Sequence, residues 1–196
     1  MTENDVEEVA GAHLRAFKGY LNASIGRKYV RQFLRWFINS PIGISLVLES
    51  EGKLIGYVVG AKLGYNKELN KSLFKTGIIS IVTHPGVLFH THFIRNVRNR
   101  LKSLFSKSTK SEGIYVEPAG SGVSLVGIAI DPLSSKKGGG SLLINAFEKE
   151  SIEAGYNYMR LSVYEVNESA LNLYKKNGWQ LLSNESPVLY YYKMIS

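Results

Sequence analysis

Three consecutive glycines, Gly138-Gly139-Gly140, follow Lys136-Lys137 and precede Ser141, between an apolar run at 125–130 and a helix-patterned stretch at 142–154. A strand that turns through glycines into a helix presents several backbone N–H groups at the helix's positive end, with no side chain obstructing an incoming phosphate. Such a turn suits an anionic cofactor. Two common phosphate loops fit it poorly. A P-loop places its Lys and Ser/Thr after the last glycine, whereas both lysines here precede it. A dinucleotide fold puts G-x-G-x-x-G at its first strand-to-helix turn, with an acid about 20 residues further on. This loop stands two thirds along the chain, and Ser141-Leu142-Leu143 occupies the place of a third spaced glycine.

The neighbouring segments supply the strand and helix that the loop requires. The spacing predicts a strand over 123–130, a helix over 138–154 closed by Gly155, a strand over 158–164, and a helix over 167–177 capped by Asn167 and ended by Gly178. Strands at 179–182 and 188–194 complete this part. Nearer the amino end, Asn4 or Asp5 can cap a helix through Val6, Val9, Ala10, Leu14 and Phe17. A second helix carries Tyr29, Val30, Phe33, Leu34, Trp36 and Phe37 and stops at Pro41-Ile42-Gly43. Segments 44–48 and 54–59 read as a β-hairpin. The elements add up to an α/β or α+β chain. Within 64–120 the periodicity is broken by Gly77, Pro85, Gly86, Gly113 and Pro118, and one helix stands out there, with Phe93, Ile94, Val97, Leu101, Leu104 and Phe105 on one face and Arg95, Arg98 and Lys102 on another. A polar loop follows at 106–113.

Composition narrows the function classes. At 196 residues and 44% hydrophobic content, the chain can bury the core of one domain. No apolar run approaches the roughly 20 residues that span a bilayer, and the first residues lack the pattern of a signal peptide, so a soluble cytoplasmic protein is expected. There is no cysteine, and the four histidines, His13, His84, His90 and His92, make a poor metal set, so no metal is expected. The net charge of +8 is unevenly distributed: 52–111 holds eleven Lys and Arg against the single acid Glu68, a local +10. A solvated helix face, a lid over an acidic substrate, or a membrane or nucleic-acid patch would each account for it.

A second constellation adds to the glycine loop. Asn167, Ala170 and Tyr174 share one helical face, followed by Gly178-Trp179. A cap residue, a small residue that permits close approach and a phenol therefore look the same way, although a single tyrosine on a helix is commonly a packing residue.

With these residues in place, the chain resembles the GNAT superfamily of acyl-CoA-dependent N-acetyltransferases. The resemblance rests on Leu125-Val126-Gly127-Ile128-Ala129-Ile130-Asp131-Pro132, the loop 136–141 with Leu142-Leu143, the strand Leu161-Ser162-Val163, and 167–179. It implies a single α/β (α+β) domain over 1–196: a central mixed, twisted β-sheet flanked by helices, with a splayed strand pair forming the acetyl-CoA cleft and 64–120 as a variable basic insertion. Coenzyme A pyrophosphate would lie on the N–H groups of Lys137, Gly138, Gly139, Gly140, Ser141 and Leu142, and pantetheine would pair with Ile128, Ala129 and Ile130. Asn167 and Ala170 would flank the arm, and Tyr174 matches the tyrosine assigned as general acid to the departing thiolate. The implied partners are acetyl-CoA and an amine acceptor; a homodimer is compatible with the resemblance, and nucleic acid is not expected.

Two departures from the family pattern stand out. Ser135 occupies the place of the usual Arg or Gln, and the helix signal at Asn4 leaves no room for the first strand. An alkylammonium, with a pKa of about 10.4, must lose a proton before attack. The candidate bases are Glu117, Asp131 and His84, with a water chain as the alternative, and main-chain donors near Ala129 and Ile130 would hold the oxyanion. For the acceptor, the stretch Ala12-His13-Leu14-Arg15-Ala16-Phe17 with Ile25-Gly26 is similar to GNAT enzymes found with bacterial surface-polysaccharide genes. An amino sugar on a nucleotide would give the basic segment a diphosphate to attract. Protein amino groups, a coenzyme A binder without turnover, and a non-enzymatic nucleic-acid binder are the competing readings.

Overall fold

The structure, a computed structural model, describes residues 1–18, 26–83, 118–134 and 137–196. The chain enters through a 3-10 turn, Glu3–Asp5, that leads into α1 (Val6–Ala16). Asp5 is the N-cap residue of α1, one of the two caps expected, without a side-chain cap hydrogen bond to that helix; Thr2 caps the 3-10 turn, where the Asp5 carboxylate reaches back to accept from the Thr2 backbone N–H at 2.6 Å and from its hydroxyl at 3.0 Å. α2 (Arg27–Asn39) buries Val30, Phe33, Leu34 and Phe37, the stripe its spacing predicts. The hairpin follows as β1 (Gly43–Ser50) and β2 (Lys53–Lys62). Then comes α3 (Asn66–Thr83), a helix inside the basic segment that the sequence reading missed. The helix expected around 93–105 and the loop at 106–113 lie outside the described residues, as do His84, His90, His92, Glu117, Ser135 and Lys136.

The remaining elements alternate as predicted: β3 (Gly122–Ile130), α4 (Gly139–Glu153), β4 (Tyr158–Tyr164), α5 (Glu168–Lys176), β5 (Gln180–Glu185) and β6 (Val188–Met194). The six strands form one mixed sheet in the order β1-β2-β3-β4-β6-β5. Among the described residues no strand precedes α1; the Met1 nitrogen instead donates to the Ser45 carbonyl on the open edge of β1, at 3.1 Å. Each face of the sheet carries its own core. On one, Leu143, Ile144 and Phe147 of α4 and Tyr174 of α5 pack on Val58, Leu125 and Leu161. On the other, Val9, Phe33, Leu34, Phe37, Leu69 and Leu73 of α1 to α3 pack on Tyr57 and Val59. Covered on both sides, β2 is buried from Leu54 to Ala61, which is why its sequence reads as nearly unbroken apolar rather than alternating. No helix among the described residues is long and apolar enough to cross a membrane.

Candidate active site

Pairing between β3 and β4 is limited to three rungs, Gly122↔Tyr158, Val123↔Met159 and Ser124↔Arg160. Just beyond them β3 carries an extra residue: Val59 and Gly60 are neighbours in β2, but their partners Gly127 and Leu125 flank Val126. Such a bulge bends a strand and increases its twist, and here it turns β3 away from β4. The result is a cleft of about 450 Å³ running between the two strands, from α1 and α2 on one face to α4 and α5 on the other. Ile128, Ala129 and Ile130 line it from β3, and Ser162, Val163 and Tyr164 from β4.

At the α4 end of the cleft stands the glycine loop. Gly138 has φ +84°, left-handed backbone that a side chain would strain, and it is the N-cap of α4 without any side-chain cap hydrogen bond. The first-turn N–H groups of Gly139, Gly140 and Ser141 are thus not satisfied by a capping side chain. A Cβ on Gly139 would lie 2.8 Å from Cδ1 of Ile130, so glycine lets the helix start sit directly on the end of β3. Leu142 departs from the expected donor set, because its N–H already donates to the Gly138 carbonyl at 3.2 Å. Ser141 Oγ accepts from Asn177 Nδ2, which also donates to the Leu173 carbonyl, locking the start of α4 to the end of α5. Lys137 is exposed beside this end. The cradle thus combines N–H donors, a positive helix end and a lysine, the chemistry that a pyrophosphate demands.

The opposite wall comes from the start and inner face of α5. Asn167 caps that helix, its Oδ1 accepting from Ala170 N–H at 3.2 Å, so the side chain is held in place where it borders the cleft. Ala170, Leu173 and Tyr174 continue the wall. Tyr174 packs against Trp179 and is 5% exposed, and burial pushes its phenol up to about 12. It therefore stays protonated, a hydroxyl that can donate. Of the residues singled out in the sequence, Ile128, Ala129, Ile130, Gly140, Asn167, Ala170 and Tyr174 meet in this one cleft, while Lys137, Gly138, Gly139, Ser141 and Leu142 form its flank at the helix start.

Asp131 fails as a base. Arg15 donates to both of its oxygens and Leu133 N–H to one of them, and the Arg15 hydrogen bond, foremost, holds the carboxyl below its usual range. Sequence reasoning missed a different group, His13, which lines the cleft from α1 with Ala16, Phe17 and Phe33. Its Nδ1 lies 2.5 Å from the Tyr57 hydroxyl, and burial pushes the imidazole down to about 4. The available signal was positional: His13 falls on the helical face of Val6, Val9 and Ala10, where a polar residue among apolar ones needs a partner.

Residues 108–179 match the Acetyltransferase (GNAT) family. The fold is similar to that of the PaiA N-acetyltransferase from Thermoplasma acidophilum, solved in complex with coenzyme A, with a TM-score of 0.56 and 13% identity over 99% of this chain and 95% of that one. It is also similar to the ribosomal-protein-S18-alanine N-acetyltransferase from Escherichia coli, TM-score 0.56 and 13% identity over 100% and 91%. PH1933 from Pyrococcus horikoshii OT3 gives 0.59 and 15% over 100% and 94%. Likeness at such identities speaks to the fold alone. Compared by sequence, the curated proteins give no match.

Proposed function

Because residues 108–179 match the GNAT family of acetyltransferases, we propose that the chain moves the acetyl group of acetyl-CoA directly onto the primary amine of a small molecule. The observation that carries this reading is the cleft: the uncapped, glycine-built start of α4 flanks one end and the rings of α1 and α2 line the other, so donor and acceptor meet between β3 and β4.

Acetyl-CoA supplies an acetyl thioester already activated toward nitrogen nucleophiles. The N–H groups of Lys137, Gly138, Gly139, Gly140 and Ser141 hold its pyrophosphate, with the Lys137 ammonium adding charge. The unpaired edge of Ile128, Ala129 and Ile130 holds the pantetheine arm as an added strand would be held, and Asn167 and Ala170 wall its far side. Main-chain donors near Ala129 and Ile130 face the developing oxyanion. Tyr174 gives its proton to sulfur as the carbon–sulfur bond breaks. Among the described residues no carboxylate lines the cleft, and water carries the amine's proton away.

The acceptor that the charge favours is an amino sugar carried on a nucleotide, whose diphosphate the eleven cations of 52–111 would attract. The reading places the protein in the cytoplasm, where acetyl-CoA is available. Purified chain is incubated with acetyl-CoA and separate pools of amines, peptides and amino-sugar nucleotides while free thiol is followed. The protein has no cysteine, so every thiol detected is coenzyme A. Failure both to bind acetyl-CoA and to release thiol would overturn the reading, and turnover of peptides alone would move the acceptor to protein amino groups.

A further inference from the structure

The α1 face of the cleft holds a group that the transfer chemistry leaves without a task. His13 is 4% exposed, and its ring sits among Phe17, Phe33 and Tyr57. Nδ1 has the Tyr57 hydroxyl as its partner, while the buried Nε2 has no hydrogen-bond partner among the described residues. Burial keeps the imidazole neutral, and a neutral imidazole carries one proton on one of its two nitrogens. Tyr57 decides which one. Its side chain is wholly buried, and among the described residues its hydroxyl bonds to His13 alone, so the phenol proton has no other acceptor there. With Tyr57 as the donor, Nδ1 accepts and the ring proton resides on Nε2.

A base needs a free lone pair; Nε2–H offers a donor instead. Its position assigns it to the acceptor. Tyr57 pairs with Ala129 across β2 and β3, and a Cβ placed on Gly127 would lie 3.8 Å from the Tyr57 hydroxyl. His13 thus stands over 127–129, across the sheet from Gly140, Asn167 and Tyr174. Leaving a buried donor unmade is costly, and an oxygen that arrives with a ligand removes that cost.

We propose that His13, oriented by Tyr57, recognises the acceptor by donating its Nε2–H to an oxygen next to the attacking amine, so the substrate is an oxygen-bearing small amine such as an amino sugar or amino alcohol. This rests on the acetyl-transfer reading above. A site built around such a donor discriminates strongly against an analogue that lacks the oxygen.

The test uses the full chain. Imidazole nitrogen NMR on histidine-labelled protein, with coenzyme A present and His13→Gln assigning the signal, is expected to show a neutral ring protonated at Nε2 at pH 7. A ring protonated at Nδ1, or charged, overturns the proposal. Kinetics then compare glucosamine with cyclohexylamine and ethanolamine with propylamine, with rates expressed per free amine. The wild type is expected to favour the oxygen-bearing member by about 100-fold in kcat/KM. His13→Phe is expected to erase that preference through KM. His13→Gln, whose amide N–H stands in for Nε2–H, is expected to restore part of it. Equal use of both members, a preference retained in His13→Phe, or no turnover of either oxygen-bearing amine overturns the proposal. Calorimetry of acetyl-CoA binding on each protein separates the two readings: a wild type that binds acetyl-CoA without discriminating overturns this inference alone, and one that does not bind overturns acetyl transfer.

Discussion

Arg15 grips Asp131 with two hydrogen bonds, Nε to Oδ1 at 2.9 Å and Nη2 to Oδ2 at 2.5 Å, tying the end of α1 to the residue that closes β3. A carboxylate bound in this way has little basicity left, and its contribution is to stability. Asp131→Asn is expected to lower the unfolding free energy at pH 7 by about 1–2 kcal/mol in urea titrations, a discounted figure for a pair whose partial burial still leaves Arg15 open to water. Because the folded carboxyl is held low, that contribution is present above its ordinary range and disappears as pH falls through the folded value. The pH profile of acetyl transfer should keep its shape in the variant. Loss of a limb from that profile would return Asp131 to the role of base.

Tyr174→Phe should lower kcat by about 10- to 100-fold and leave the Kd for acetyl-CoA nearly unchanged. General acid help is commonly worth about 10² or more, but a thiolate departs unaided more readily than an alkoxide, since a thiol pKa is near 8.5. With its phenol pushed up to about 12, the wild-type group stays a donor through the whole working range. Stopped-flow and steady-state thiol release measure both quantities. An unchanged kcat would assign Tyr174 to packing against Trp179.

Gly138→Ala places a side chain on backbone at φ +84°. Left-handed conformation costs a non-glycine residue about 1–2 kcal/mol, so a stability loss of about 1 kcal/mol is expected. The loop then relaxes away from its donor geometry, and the Kd for acetyl-CoA should rise about tenfold, a shift of about 1.4 kcal/mol. Calorimetry reads the second effect independently of the first. An unchanged Kd would move the pyrophosphate off this loop.

Where local rules decide conformation, the sequence was readable. Gly155 and Gly178 close their helices at φ +79° and +80°, and Asn167 caps α5 through its own side chain, each an outcome of residue type alone. The glycine-loop helix and both flanking strands follow the same logic. What escaped depended on distant partners. In α3 the described buried positions are Leu69 and Leu73, a short stripe followed by Gly77, so tertiary packing on α2 supports a helix that its own period does not announce. Leu125-Val126-Gly127-Ile128 reads as one even apolar run, and only the offset of its partners in β2 reveals the bulge that opens the cleft. His13 and Tyr57 are 44 residues apart, joined by a packing of α1 on β2 that no local pattern encodes.

That same pair also contributes to the acid response of the fold. The His13 imidazole titrates at about 4 when folded, against an ordinary 6.5, because burial disfavours its charged form. Between these values the unfolded chain binds a proton that the native state refuses, so stability falls as pH drops through 6.5 and the loss is complete below 4. The full span corresponds to about 3 kcal/mol. His13→Phe cannot titrate and keeps an aromatic ring among Phe17, Phe33 and Tyr57, although it leaves the Tyr57 hydroxyl without its acceptor. The variant is therefore expected to be less stable than the wild type at pH 7 and to lose less on acidification. Urea titrations of both proteins at pH 7 and pH 4.5 measure the difference of differences, in which every other titrating group common to the two chains cancels. Parallel loss in the two proteins would show that the native ring accepts its proton as readily as the unfolded one, and with it that His13 is not held neutral by the cleft.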